Sequence, residues 1–291
     1  MADKDITEKT LESYNDVFAD IVNGLLFEGR QVIKENSLID AQPFSMYKMD
    51  GKIHEQERDV AKYWMGTESA GVSVRIAVLG MENQTTYEER MPLRVIGYDG
   101  AAYRAQLSEK KCYPVITLVL YFGDSPWGKS RTLYDVVEVP EEFRTFVNDY
   151  KINVFEIAHL PEEMIDHFHS DFKIVVDYFV HRRLDPDYRP KNPDKFQHVD
   201  ELLKMMASIT HDDRFVEVLE GGKPRDMCEL LDRVEEKGIE KGRREGLQEG
   251  VDVTRVENIR NIMRKLKYTA QQAMDLLEIP AADQAKYLAK L

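Results

Sequence analysis

The first strong hydrophobic pattern along the chain is that of an amphipathic helix. Apolar side chains between Thr7 and Glu28 recur at helical spacing, which predicts a helix over that range. Gly29 follows directly and is a plausible stop, because glycine readily adopts the backbone conformation that ends a helix. The apolar positions that carry the pattern are Leu11, Tyr14, Phe18, Ile21, Val22, Leu25 and Leu26.

Alternating and unbroken apolar runs then predict the strands of a sheet. Asp50-Gly51 is a strong hairpin signal between the first two strands. Pro92 does not exclude the helix that begins at Met91, because proline is tolerated in the first turn. A near-continuous apolar run fits a strand that is buried on both faces of a mixed sheet. The elements are strands over Phe44 to Met49, from Ile53 onward and over Ser73 to Gln84, a helix over Met91 to Leu107, and a strand over Tyr113 to Phe122. Together they give an α/β order, α-β-β-β-α-β.

The remaining chain predicts helical additions to this core. We expect residues 1–160 to form the core, 161–224 a helical elaboration, 225–252 a helical linker and 253–291 a small helical module. Thr269 and Gln272 form a capping-box pattern, and Pro280 suits the first turn of a last helix. Further elements are a strand over Asn153 to Ile157 and helices over Ser170 to Arg183 and Asp194 to Ile209.

Composition and charge narrow the classes of protein. The chain has 291 residues, 43% hydrophobic and 32% charged, which is the composition of a folded protein. No apolar run reaches the roughly 20 residues that span a bilayer, and no secretory signal is visible, so we expect a cytoplasmic protein without a membrane partner. Cys112 and Cys228 are too few and too far apart for a disulfide framework or a zinc site. A net charge of −13 counts against a general nucleic-acid coat protein but is compatible with a nuclease.

The candidate chemistry lies where two predicted strands end. Glu82 and Gln84 share a parity and therefore project from one face of their strand, and Asp59 precedes them on the neighbouring strand. Two carboxylates from adjacent strands suit a hard cation such as Mg²⁺, which takes oxygen ligands and keeps waters for a substrate phosphate. The alternative is that Asp59 lies on a solvated hairpin and Glu82 merely ends a strand. The polar Glu-Asn-Gln triplet after a strongly apolar strand favours the metal site.

These residues lie within a wider resemblance that spans most of the chain. The sequence resembles the recombination-promoting nuclease and transposase-like group of the PD-(D/E)XK superfamily, which has a restriction-endonuclease-like core. The resemblance is carried by Asn15-Asp16-Val17-Phe18-Ala19-Asp20, Asn23-Gly24-Leu25-Leu26-Phe27, Arg58-Asp59-Val60, Glu82-Asn83-Gln84, Met91-Pro92-Leu93-Arg94 with Tyr98, the strand Val115 to Phe122 and the glycine-spaced tail.

The resemblance implies metal-dependent cleavage of DNA. Asp59 and Glu82 would hold Mg²⁺ or Mn²⁺, and Gln84 would occupy the position of the superfamily's lysine. Either Asp16 or Asp20, four residues apart on one helix face, would be the accessory acid. Glutamine is uncharged and cannot act as a general base, although it can orient a water, so we expect activity that is modest.

Basic residues near the site have two interpretations. Arg94 supplies a cation to the phosphate or is an ordinary surface charge. Lys129 and Arg131 form part of a DNA-contacting rim or are solvated charges. The wider rim would include Lys110, Lys111, Tyr113 and Trp127.

Glycine recurs at every fourth position of the charged segment that follows Arg225. Each glycine costs a helix about 1 kcal/mol against alanine, so a gain elsewhere is expected. Close helix–helix approach in a homo-oligomer is one explanation, and a pliant linker is the other. The glycines are Gly238, Gly242, Gly246 and Gly250.

Two functions from different classes follow from the sequence. The first is a Mg²⁺-dependent DNA endonuclease that is linked to recombination or mobile elements. The second is a catalytically decayed protein of the same fold, which acts as an oligomerising, DNA-binding or partner-binding module.

Overall fold

The chain forms two compact units, Met1–Leu230 and Leu231–Leu291. A computed structural model describes residues 10–41, 44–49, 52–67, 73–185, 188 and 196–291. The predicted division at residues 160, 224 and 252 stays a prediction. None of the helices in the described part of the chain combines the length and the apolar character that crossing a membrane requires.

The first helix is shorter than predicted. A 3-10 turn over Leu11–Ser13 is followed by an extended residue, Tyr14, and the helix proper, α1, spans Asn15–Leu26. The side-chain amide of Asn15 donates a hydrogen bond to the carbonyl oxygen of Leu38 (3.1 Å). The predicted start at Thr7 lies outside the described residues. The helix ends two residues before the predicted Glu28, and Glu28 and Gly29 follow it with φ angles of +55° and +78°.

The first unit is built on a five-stranded mixed sheet. Its strand order is β1-β4-β5-β6-β7. The pairs β1–β4 and β4–β5 are antiparallel, and the pairs β5–β6 and β6–β7 are parallel. A separate two-stranded sheet is formed by β2 and β3. The strands are β1 Leu38–Asp40, β2 Phe44–Met49, β3 Lys52–Glu57, β4 Val60–Thr67, β5 Ser73–Gln84, β6 Val115–Tyr121 and β7 Asn153–Glu156.

The predicted identity of the first two sheet strands is wrong. The sequence assigned β2 and β3 to the sheet, whereas they form a hairpin of their own. In the sheet, β4 lies beside β5 and β1 lies beside β4. The predicted turn at Asp50-Gly51 lies outside the described residues, but Met49 pairs with Lys52 as a hairpin requires. With the hairpin set aside, α1, β1, β4, β5, the next helix and β6 follow one another as α-β-β-β-α-β.

Helices cover the sheet and extend the first unit. Pro92 lies in the first turn of α2, as predicted, and the helix ends three residues before the predicted Leu107. Strand β6 is buried along nearly its whole length, which confirms its central position. The helices of this unit are α2 Met91–Arg104, α3 Phe172–Leu184, α4 Val199–Thr210 and α5 Arg214–Glu217.

The second unit is helical and has a small core of its own. Helix α6 spans Met227–Leu266 and includes the glycine-spaced segment. A Cβ added at Gly242, Gly246 or Gly250 would meet nothing within 4 Å. The predicted oligomerisation through this strip stays a prediction. Thr269 caps α7, Ala270–Leu276, through the predicted capping box, and Pro280 is the N-cap of α8, Ala281–Leu288.

A buried asparagine joins α1 to the segment that leads into β1. The carboxamide oxygen of Asn23 accepts hydrogen bonds from the backbone N–H groups of Val32 (3.1 Å) and Ile33 (2.9 Å). Its amide nitrogen donates to the carbonyl oxygen of Ile33 (2.8 Å). The neighbouring Gly24 lies so close to Phe168 that an added Cβ would be 2.5 Å from the ring. The Asn-Gly pair in the family resemblance therefore has a packing role here.

We expect Asn23→Ala to lower the free energy of unfolding of the first unit by about 2 to 3 kcal/mol, because two buried backbone groups lose their partners. Asn36→Ala, at an exposed position of the same segment, should change it by less than about 0.5 kcal/mol. Urea unfolding followed by tryptophan fluorescence measures both, since Trp64 and Trp127 belong to the first unit. Equal losses in the two variants would contradict this role of Asn23.

Candidate active site

The pairing of β4 with β5 brings Asp59 to Glu82. Val60 pairs with Met81 and Ala61 with Gly80, so the antiparallel register places the preceding residue, Asp59, opposite Glu82. The Oδ2 of Asp59 accepts a hydrogen bond from the backbone N–H of Asn83 (2.6 Å). The two carboxylates that the sequence singled out are therefore held side by side at the ends of neighbouring strands.

Glu82 is a buried carboxylate with an unusual environment. Its side chain is 3% exposed, and its Oε1 is paired with Arg94 and accepts a hydrogen bond from the Nε2 of Gln84 (3.2 Å). Its Oε2 is buried and has no hydrogen-bond partner among the described residues. Burial raises the pKa of Glu82 to about 7, the charge of Asp59 adds to the rise, and Arg94 opposes it. Glu82 thus exchanges protons near neutral pH.

A buried ion pair adjoins this pair of carboxylates. Arg58 Nη2 donates to Asp99 Oδ1 (2.6 Å), and both side chains are almost fully buried. The carboxylate of Asp99 also accepts hydrogen bonds from the hydroxyls of Thr117 (2.6 Å) and Tyr150 (2.5 Å). Gly80 permits this arrangement, because an added Cβ would lie 2.9 Å from the Arg58 side chain. The network fixes the residue that directly precedes Asp59. The sequence analysis did not predict the role of Asp99. Its position on the apolar face of α2 would have indicated that this acidic side chain is buried and paired.

Glu12 is a site residue that sequence reasoning missed. It is 1% exposed, and its Oε1 accepts a hydrogen bond from the side-chain amide of Asn83 (2.8 Å). Burial raises the pKa of Glu12, and the charge of Asp59 contributes to the rise. No feature of the sequence distinguishes it among the 53 acidic residues of the chain, aspartates included.

The two predicted accessory acids face other elements. Asp20 Oδ2 accepts hydrogen bonds from the backbone N–H groups of His169 and Ser170 and from the Ser170 hydroxyl (2.8, 2.8 and 2.7 Å). Asp16 Oδ2 lies 2.9 Å from the Nε2 of His198. The accessory role of Asp16 or Asp20 stays a prediction. The acidic side chain that contacts Asn83 beside Asp59 is Glu12, which precedes α1.

The predicted DNA-binding residues fall into two groups. Arg94 lies in the site, where it pairs with Glu82 and donates to the hydroxyl of Tyr98 (3.1 Å). Lys129 is exposed, and Arg131 is ion-paired with Glu156.

Trp127 is packed in a hydrophobic cluster, and its indole N–H donates to the Ser130 carbonyl (3.1 Å). It is therefore not available to stack on a nucleotide base, and that part of the predicted rim is wrong.

The donor set fits a metal held by few protein ligands. Among the described residues, no group of three or more histidine, cysteine or acidic side chains is arranged to hold a metal ion. Mg²⁺ needs only one or two carboxylates, because waters and substrate phosphates complete its shell. Asp59 and Glu82 supply two, and the unpartnered Oε2 of Glu82 is the kind of buried acceptor that a cation satisfies. The residues present are compatible with such an ion.

Comparison with known proteins identifies a family. No curated protein and no solved structure matches the chain. The family described as "Putative transposase, YhgA-like" matches residues 69–214, half of the chain. The matched range contains Glu82, Gln84 and Arg94 but not Asp59. That description connects the chain with mobile elements and with DNA. The chain belongs to the family of YhgA-like putative transposases.

Proposed function

We propose that the chain is a metal-dependent DNA endonuclease with a PD-(D/E)XK-type core, in which Asp59, Glu82 and Gln84 are the catalytic residues. The observation that carries the proposal is the placement of Asp59 opposite Glu82, with one Glu82 oxygen buried and unpartnered. The element order α-β-β-β-α-β around these residues supports it. Membership of a transposase-like family supports DNA as the substrate and recombination or mobile elements as the setting.

Asp59 and Glu82 would hold the ion, Mg²⁺ or Mn²⁺. When bound, the ion polarises a phosphate and increases the acidity of water. Glu82 must be ionised to bind it, and a pKa of about 7 allows this at neutral pH. Asp59 is held in place by the backbone of Asn83, and Glu12 holds the side chain of the same residue. These residues therefore fix the end of β5 at the point where the chemistry takes place.

Gln84 and Arg94 act on the substrate in this proposal. The carboxamide of Gln84 can orient the attacking water through hydrogen bonds, since it has both a donor and an acceptor. It cannot remove a proton, so the proton passes to solvent or to the substrate phosphate. Arg94 can leave Glu82 and pair with a phosphate oxygen, because its side chain is 39% exposed and its guanidinium group suits phosphate. Arg94 thereby neutralises charge that develops at the phosphate.

The first test is cleavage of supercoiled plasmid with Mg²⁺ or Mn²⁺. We expect wild-type protein to nick the plasmid and Glu82→Gln and Asp59→Asn to lose at least about 100-fold in rate, since loss of residues that only support metal ligands already costs 10- to 100-fold. Glu89→Gln, at an exposed glutamate outside the site, should cleave like wild type. Cleavage by Glu82→Gln at the wild-type rate, or no cleavage by any of the proteins, would refute the proposal.

Metal binding provides a second test that does not depend on activity. We expect titration calorimetry with Mn²⁺ to show one site in wild-type protein, weakened at least about tenfold by Asp59→Asn and by Glu82→Gln. Glu89→Gln is again the control. Affinity should fall as the pH is lowered below about 7, because the ion then displaces a proton from Glu82. A folded wild-type protein that binds no divalent ion would instead favour the catalytically decayed module, for which the Glu82–Arg94 pair would be the permanent arrangement.

The raised pKa of Glu82 also predicts how stability depends on pH when metal is absent. The folded state holds the Glu82 proton up to a pH of about 7, whereas the unfolded chain releases it near 4.5. The contribution of the protonated form is thus complete below 4.5 and is lost as the pH rises through about 7. The loss amounts to at most about 3 kcal/mol.

Urea unfolding in EDTA, followed by tryptophan fluorescence at pH 5 and pH 8, measures this effect. Relative to Glu82→Gln, wild-type protein should be less stable at pH 8 than at pH 5, because the amide cannot ionise. The comparison with Glu82→Gln removes the contributions of Glu12 and other titrating groups. A difference between the two proteins that stays constant with pH would show that Glu82 is ionised throughout.

A further inference from the structure

The cavity beside the candidate active site continues into a second one. The first, of about 480 Å³, is lined by Asp59, Gln84 and one side of α4. The second, of about 390 Å³, is lined by residues of α3, α5 and the turn after β6. Three residues, Thr85, Ile209 and His211, line both cavities. The two cavities are therefore neighbouring parts of one groove on the first unit.

The two parts of the groove differ in charge. The first part contains the acidic side chains Glu12, Asp59 and Glu201 and one basic side chain, Lys204. The second contains Arg182 and Arg183, whose side chains are exposed. The acidic residues of the second part are Asp124 and Asp212, of which Asp212 is engaged by Arg214 (2.6 Å).

Arg182 is placed to receive an anion. Its guanidinium carbon lies 5.5 Å from the centroid of the Tyr178 ring, a cation–π contact that holds the side chain over the groove wall. It forms no ion pair with a carboxylate of the described residues. Arg183 is oriented by a hydrogen bond from its Nε to the Ala158 carbonyl (2.8 Å). Two arginines held in this way suit the oxygens of a phosphate.

The floor of the second part is apolar and aromatic. Phe122, Tyr178, Phe179 and Phe215 line it together with the arginines. These four aromatic side chains are only 2% to 9% exposed, so they form an apolar wall and do not stack on bases. The feature that suits single-stranded nucleic acid is the pair of basic side chains, which can follow the phosphate backbone along the groove. Each cavity has the size of a small-molecule pocket, roughly 300–1,000 Å³. Such a cavity accommodates a nucleotide unit, whereas a duplex presents two phosphate strands and needs a broader basic surface.

We propose that the groove from Asp59 to Arg182 binds one single strand of DNA. Arg182 and Arg183 contact one phosphate of this strand, and Asp59 lies beside another at the opposite end of the groove. The inference rests on the proposed function for the acidic end of the groove and adds the form of the substrate. Segments of DNA that are unpaired, displaced or frayed are then the preferred substrates of the enzyme.

Fluorescence anisotropy with a labelled 12-nucleotide single strand tests the basic half of the groove. In EDTA, where no metal contributes, we expect Arg182→Gln to weaken binding at least about fivefold and to reduce the dependence on salt by about one phosphate contact. Arg182→Lys should retain most of the affinity. Arg104→Gln, at an exposed arginine at the end of α2, is the matched control and should bind within about twofold of wild type.

The same sequence as a blunt duplex tests the choice of single-stranded DNA. We expect the duplex to bind at least about tenfold more weakly than the single strand at equal salt. The inference is overturned if the duplex binds equally well, if Arg182→Gln binds like the Arg104→Gln control, or if wild-type protein does not bind the single strand. Circular dichroism confirms that each variant is folded.

Plasmid cleavage separates failure of this inference from failure of the proposed function. If Arg182→Gln loses single-strand binding but wild-type protein shows no metal-dependent cleavage, the single-strand groove is supported and the proposed nuclease activity is refuted. If cleavage depends on Glu82 but Arg182→Gln does not affect single-strand binding, the proposed nuclease activity is supported and the single-strand groove is refuted.

Discussion

Arg58 and Asp99 bury opposite charges next to the candidate site, and much of the first unit depends on their pairing. Removing one partner would leave an uncompensated charge in the interior, which typically costs about 3 to 5 kcal/mol. Through Thr117 and Tyr150 the pair joins the start of β4 to α2, β6 and the segment before β7. Because the network is almost fully hydrogen-bonded, it tolerates few other arrangements. Asp59 directly follows Arg58 in the chain, so the same constraint also determines the position of Asp59.

Burial of acidic groups gives the site a cost in stability that a binding function would explain. Glu82 and Glu12 are both buried, and the charge of Asp59 raises the pKa of each. A core selected for stability alone would replace such groups by apolar side chains. Like charges are brought together where a cation, a proton or an arginine can relieve the repulsion. Arg94 does so for Glu82 in the structure described here.

The sequence predicted elements with a long, regular pattern and failed where pairing decides the outcome. The bounds of β5, Ser73–Gln84, were predicted correctly from the alternation over Val74 to Leu79 and the apolar residues that follow it. Strand β1 has three residues and is a strand only through its pairing with β4, so no local pattern marks it. The Asp50-Gly51 hairpin signal identified β2 and β3 as strands but contains no information about which sheet they join.

The candidate site was predictable to the same limited extent. The proximity of Asp59 and Glu82 followed from strand order and register, whereas the part played by Glu12 depends on a long-range contact with Asn83. Asp16 and Asp20 were correctly placed on one helix, but helical spacing does not say which neighbour that helix face meets. Trp127 was misjudged because burial of a loop tryptophan is a property of the whole fold.

The pairing of Arg94 with Glu82 has a thermodynamic consequence for the proposed nuclease. A divalent ion and Arg94 compete for the same carboxylate, while a phosphate competes with that carboxylate for Arg94. Binding of the ion therefore releases the guanidinium group for the phosphate, and binding of the phosphate releases the carboxylate for the ion. The two ligands are positively cooperative, and by linkage each increases the affinity for the other by the same factor. In the proposed nuclease, the internal ion pair would lower the affinity of the site for metal while DNA is absent.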